Sequence, residues 1–318
     1  MAFDIFEHTQ RPRNSLFFRH PDPNDLRLGA VVSRNPADYG AAAVVVLGCP
    51  QDEGVRRNGG RPGARFAPDA IRQCLYRLVP PPANGRHLQM FDLGNTVIQP
   101  DLEATHERHQ RIVQQLIRDG KQVVVLGGGN DTAYPDCAGL AAELPNPLAL
   151  NVDAHFDVRD SLVRHSGTPY RQLLEEAHIA PQNFYEVGSQ PFANALVYRQ
   201  YLDQKGVRVC DLDTLRAVGI AAFLGRALAE SSAGAIFWGI DVDAVQAADA
   251  PGVSAPNPLG LTAAELCQIA RIAGHDPRSR IIEFTEVNPE YDVDLRTCRV
   301  VAAAIFYFLL GTLECEAS

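Results

Sequence analysis

The chain has 318 residues, and its 29 Lys and Arg against 38 Asp and Glu give a formal net charge of −9. At 46% hydrophobic and 21% charged it is not a disordered chain, and an acidic balance without a Lys/Arg block excludes nucleic acid as the main partner. Seven cysteines without CxxC spacing exclude a disulfide framework or a zinc ribbon, which leaves reduced thiols.

The opening residues, MAFDIFEHTQRPR, carry no charged leader ahead of an apolar stretch, so the expectation is a cytoplasmic protein. Turn signals in HPDPND and RNPAD predict an irregular N-terminal arm over residues 1–40, ahead of one α/β domain over 41–318. Apolar runs of strand length then follow at Ala43–Gly48, Gln122–Leu126, Leu148–Val152, Phe184–Gly188, Val207–Cys210, Ala235–Ile240 and Ile281–Val287. Helices are predicted between them. Leu102, Ile112, Val113, Leu116 and Ile117 have three- and four-residue spacing, and further helices are expected over Ala193–Gln204, Ala221–Ser231 and Ala263–Gly274. Pro68 and Asp69 open a helix over AIRQCLYRL, and Thr262 with Glu265 three residues on reads as a capping box. The longest apolar run, Val300–Leu310, is shorter than the ~20 residues that span a bilayer; it reads as a core helix, with no membrane partner. Strand and helix in alternation, with continuously apolar strands, predict a single-domain three-layer α/β/α fold with a mostly parallel sheet.

In such sheets ligands bind beyond the carboxyl ends of the strands. Four polar clusters sit there: CPQDEGVRRNGG, GGGND, DAHFDVRD and DVDA. Asp153, His155 and Asp157 alternate, as do Asp241 and Asp243, so in extended backbone each set projects to one side. Either motif alone also fits a loop of helix caps and surface charges. Together they bring four carboxylates to one edge, where like charges would repel unless one or two cations bridged them. Oxygen-rich ligands with one His and no thiolate favour an ion such as Mn²⁺ over a structural zinc.

Longer segments carry a resemblance. DEGVRRNGGRPGARFAPDAIR, GGGND, DAHFD, SGTPYRQLLEE, GIDVDAVQAADAPGVSAPNPLGLT and EVNPEYD occur in order, and the sequence resembles the ureohydrolase superfamily of arginases and agmatinases. That resemblance implies an arginase-like fold, two Mn²⁺ per subunit, a small-molecule amidine substrate and a homo-oligomer, trimeric or hexameric. It implies that Asp153 and Asp241 bridge both ions, that Asp157 completes the first and that His155 and Asp243 complete the second. Asn130 stands where most of the superfamily has a histidine ligand for the first ion. An amide oxygen is a weaker donor than imidazole, so that ion is expected to be held less tightly, with Asp131 or a water as a substitute donor.

Within the superfamily the segments are most similar to the formimidoylglutamase branch, which implies hydrolysis of N-formimino-L-glutamate to formamide and L-glutamate. Ser166-Gly167-Thr168-Pro169 replaces an arginase His-Gly, and Thr168 is taken as a substrate contact. Arg159 occupies a position of a neutral amide in arginases, and its planar fork suits a substrate carboxylate. Arg57 and Arg164 are candidates for the other carboxylate. Glu286 matches the family's glutamate that grips the cationic amidine. Asp157 is the candidate to carry a proton to the leaving amine, with His165 assisting from the loop. Two alternatives stay open: a guanidino substrate cleaved to urea, and a catalytically impaired relative because of Asn130.

Overall fold

The computed structural model describes residues 3–82 and 89–315. Among these residues nine strands form one sheet: β1 (Thr9–Gln10), β2 (Val44–Gly48), β3 (Met90–Thr96), β4 (Gln122–Leu126), β5 (Leu148–Val152), β6 (Phe184–Ser189), β7 (Arg208–Asp211), β8 (Ile236–Asp241) and β9 (Ser279–Thr285). Their order is β1-β3-β2-β4-β9-β8-β5-β6-β7, and every pairing is parallel except that of β1 with β3.

Alternate side chains of these strands enter two separate cores, because successive residues of a strand face opposite ways. Val124, Leu126, Leu150, Val152, Trp238, Ile240, Ile282 and Phe284 pack with helices Ala67–Leu75, Ala263–His275 and Arg296–Cys315. Val123, Val125, Ala149, Phe237 and Ile281 pack with helices Leu102–Arg118, Ala133–Glu143 and Pro169–Glu175. The result is the expected three-layer α/β/α arrangement.

Helix Ala263–His275 begins as the sequence indicates: Glu265 N–H donates to Thr262 Oγ1 at 3.1 Å, and Thr262 N–H donates to Glu265 Oε2 at 2.7 Å. The last helix, Arg296–Cys315, outruns the apolar segment Val300–Leu310. Among the described residues it is the one helix whose length and composition would allow it to cross a membrane, yet Val301, Ile305, Phe308 and Leu309 are buried in the core. The described part of the arm, residues 3–40, carries short 3-10 turns, a single helical turn at Leu28–Val31 and β1, and its Leu16, Leu28 and Val32 enter the same core.

Strand β3 is absent from the sequence expectation for a physical reason. Its segment, MFDLGNT, carries an Asp and a Gly. The Asp92 carboxylate is buried and takes Arg72 Nε at 2.8 Å, Arg72 Nη2 at 2.9 Å and the Tyr76 hydroxyl at 2.5 Å. Gly94 has φ +90°, and a β-carbon there would lie 2.0 Å from the Gln10 carbonyl oxygen, so only glycine lets β1 approach.

Candidate metal centre

From β5 the chain moves outward to β6 and β7, whereas from the neighbouring β8 it moves the opposite way to β9, so its direction of progress across the sheet reverses between β5 and β8. A crevice opens at such a reversal, outside the carboxyl ends of the strands. A cleft of about 270 Å³ occupies it, lined by Val55, Asn58, Gly59 and Gly60 after β2, His155, Asp157 and Arg159 after β5, Asp241 and Asp243 at β8, Ser254, and Glu286 after β9. Asn130, after β4, reaches the same residues: its Nδ2 donates to Asp157 Oδ2 at 2.7 Å and to Asp153 Oδ2 at 3.4 Å. The strand-end clusters therefore converge.

The two short motifs are turns, not the extended segments that their alternation suggests. Each is a turn in which the leading aspartate accepts the N–H two residues on: His155 N–H to Asp153 Oδ1 at 2.7 Å, and Asp243 N–H to Asp241 Oδ1 at 2.9 Å. Asp157 and Glu286 adopt left-handed backbone, with φ of +46° and +63°. Such conformations cost of order 1–3 kcal/mol each in a non-glycine residue, and they aim both carboxylates into the cleft.

Asp153, His155 and Asp243 form one set of donors whose ligand atoms lie within 4.8 Å of one another; Asp153, Asp157 and Asp241 form a second. Asp153 belongs to both, whereas Asp241 belongs to only one. Burial first and neighbouring carboxylates second push Asp153 up to about 6, Asp157 up to about 8 and Asp241 well above the usual range. Asp243 holds the His155 imidazole up to about 12. Asp243 Oδ1 is buried without a hydrogen-bond partner. This donor set fits divalent ions: a cation would relieve the repulsion and occupy the orphaned oxygen.

Glu286 is held from two sides. Asn130 N–H donates to its Oε1 at 2.8 Å, and the Ser254 hydroxyl makes a very short bond to Oε2. Burial raises its carboxyl to about 8, against the opposing effect of the Ser254 bond. Arg159 lines the cleft and, among the described residues, has no ion-pair partner; its stem packs on Gly167, where a β-carbon would lie 2.8 Å from Arg159 Cδ.

Other expected site residues lie elsewhere. Arg57 is taken by Glu103 at 2.6 Å and Glu53 at 3.2 Å, outside the cleft lining. Arg164 stacks over the Tyr134 ring at 4.2 Å. Thr168 Oγ1 is buried, donating to the His165 carbonyl at 2.8 Å and accepting from its N–H at 3.1 Å, while His165 Nδ1 accepts from Gly167 N–H at 3.0 Å. Thr168 and His165 thus shape the loop that supports Arg159. Asp131 turns from the ligand sets to accept from Gln51 at 2.7 Å and His106 at 2.8 Å. Ser254, and the Asn58–Ser166 pair joined at 3.0 Å, were not anticipated; isolated Ser and Asn in loops give no spacing signal.

Residues 42–311 match the Arginase family. The chain is similar to the formimidoylglutamase of Citrobacter koseri, at 33% identity over 88% of this chain and 90% of that protein, and to the one of Rhodococcus opacus, at 36% over 83% and 84%. Among solved structures it is similar to Trypanosoma cruzi formiminoglutamase crystallised with Mn²⁺, with a TM-score of 0.84 and 33% identity over 91% of this chain and 99% of that one.

Proposed function

The chain belongs to the arginase family, and from that membership we propose that it is a Mn²⁺-dependent hydrolase of N-formimino-L-glutamate, releasing formamide and L-glutamate. The observation that carries the metal half of this reading is Asp153, one carboxylate common to two sets of donors. The substrate half is carried by Arg159, which has no ion-pair partner among the described residues, and by a fixed Glu286 lining the same cleft. A substrate with an amidine at one end and carboxylates at the other matches that pair.

Asp153, Asp157, Asp241 and Asn130 would hold one ion, and Asp153, His155 and Asp243 the other. When bound, the ions supply a water acidified from ~15.7 to near neutral pH and polarise the group it attacks. The chain's own residues do the rest. Glu286, with one oxygen engaged by Asn130 N–H and the other by Ser254, keeps a fixed orientation and grips the amidine nitrogens by charge-assisted hydrogen bonds. Its carboxylate gains strength as positive charge settles on those nitrogens. Arg159 takes a carboxylate of the glutamate moiety in its planar fork and so fixes which carbon faces the ligand sets. Asp157 accepts from Asn130 through Oδ2 and, lining the cleft, is positioned to receive the proton of the attacking water. It then passes that proton to the glutamate nitrogen as the C–N bond breaks.

Seven free cysteines support a reducing compartment, the cytoplasm. Product analysis tests the function. Formamide with glutamate supports it; urea from a guanidino compound would move the assignment to an agmatinase-like activity, and no Mn²⁺-dependent turnover on either would mark an impaired relative.

A further inference from the structure

One pleat beneath the metal ligands, a row of residues crosses the sheet: Val125, Glu283, Gly239, Asn151 and Glu186, paired in register along β4, β9, β8, β5 and β6. The row faces the layer of helices Ala133–Glu143 and Pro169–Glu175, since Leu150, Val152, Tyr185 and Val187, which flank Asn151 and Glu186, enter the opposite core. Asn151 and Glu186 have no exposed surface. An apolar row would pack there without desolvation cost.

The hydrogen bonds account for the polar pair. Asn151 Nδ2 carries two hydrogens; it donates to Glu186 Oε2 at 2.8 Å and reaches Asp153 Oδ2 at 3.4 Å. Asp153 Oδ1 is already committed to His155 N–H, on the side of the His155 and Asp243 donors. Oδ2 is therefore the oxygen left for the side of Asn130 and Asp157, and Asn130 Nδ2 approaches it at 3.4 Å.

We propose that Glu186 is a positioning residue of the metal centre: it fixes the Asn151 amide, which orients Asp153 Oδ2 toward the ion site shared with Asp157 and Asp241. Glu186 touches neither substrate nor ion, and its effect is selective for one of the two sites. That site is the one where Asn130 replaces an imidazole, so a fixed bridging carboxylate compensates there for a weaker donor. The inference rests on the proposed metal-dependent function.

The contact itself needs an acceptor oxygen at the position of Glu186 Oε2, which a glutamine also supplies. Burial, and then the charge of Asp153, push the Glu186 carboxyl well above the usual range.

The test is a Mn²⁺ titration of the full-length, chelator-stripped protein, followed by the loss of the free-ion signal in electron paramagnetic resonance. Wild type is compared with Glu186→Gln, Glu186→Ala and Asn151→Ala. The expected result is wild-type binding at both sites in Glu186→Gln, and a loss of about 10–100-fold at one site, with the other unchanged, in the two alanine variants. Wild-type affinity at both sites in the alanine variants overturns the proposal, as does a Glu186→Gln defect equal to that of Glu186→Ala. Should Glu186→Ala fail to fold, Asn151→Ala decides by the same criterion. Because the titration needs no turnover, a protein that binds two ions but releases no formamide refutes the substrate assignment alone.

Discussion

Asn130 and Asp157 meet edge to edge at the centre of the site: the amide nitrogen of one donates to the carboxylate of the other at 2.7 Å, while the amide oxygen accepts the Thr285 hydroxyl at 2.9 Å. The oxygen that Asn130 would offer to an ion is thus turned toward Thr285, and rotation of the amide would be needed to present it. Replacing Asn130 by His removes that competition and supplies a stronger donor. Asn130→His should lower the Mn²⁺ dissociation constant at one site by about tenfold or more, judged against the size of ligand-shell effects. Unchanged metal content and rate in that variant would show that the position is not a ligand.

Glu286 is predicted to act through its charge. Glu286→Gln keeps the shape and the Asn130 contact, and kcat/KM should fall by about 10²–10³, the scale of losing one fixed electrostatic partner of the transition state. Ser254→Ala leaves the Asn130 N–H in place and should cost about tenfold. A Ser254→Ala loss as large as that of Glu286→Gln would mean that the serine contacts the substrate itself.

Arg159 is predicted to act in binding. Arg159→Ala should raise KM by about 10–100-fold with kcat little changed, the value of a charged hydrogen-bonded pair. Arg159→Lys should recover only part of it, because an ammonium lacks the bidentate fork. Steady-state kinetics on N-formimino-L-glutamate separate the two parameters; a fall in kcat alone contradicts this role.

Stability depends on a buried ion pair outside the cleft lining. Arg72 and Asp92 are both fully buried and joined by two hydrogen bonds. Arg72→Met strands the Asp92 carboxylate and should destabilise the fold by about 3–5 kcal/mol in urea unfolding. Adding Asp92→Leu should recover part of that loss.

Acid should weaken the start of helix Ala263–His275. Bonds from Arg216, and then from the Thr262 backbone and hydroxyl, hold Glu265 down at about 2, below its ordinary 4.5. A lowered carboxyl contributes stability that is present above the unfolded value and lost as pH falls through the folded one. Wild type should therefore exceed Glu265→Gln by about 1 kcal/mol at neutral pH, as capping and surface pairs do, with the gap closing between pH 4.5 and 2. Thermal unfolding of both proteins across that range checks it.

The sheet was legible wherever a strand is apolar on both faces: β4 and β5 have the bounds that their Val, Leu and Ala runs suggest. Strand β3 was hidden because its Asp92 is neutralised by Arg72, twenty residues earlier, a compensation that no local pattern displays. Helix Ala133–Glu143 was hidden because it is apolar on nearly all sides and lacks a three- to four-residue stripe. The acidic strand ends were readable as candidate ligands from spacing alone. Spacing could not distinguish Arg159, which lines the cleft, from Arg57, which Glu103 neutralises; only packing separates two arginines of equal intrinsic charge. The division of donors into two sets that share Asp153 also follows from turns rather than from strand pleat.

The most direct test is to strip the protein with a chelator, reload it with Mn²⁺ and measure formamide released from N-formimino-L-glutamate, with bound manganese determined on the same sample. The stripped protein should release none, and release should return as two ions per subunit bind. Formamide release that is indifferent to Mn²⁺, or a fully loaded protein that produces none, would contradict it.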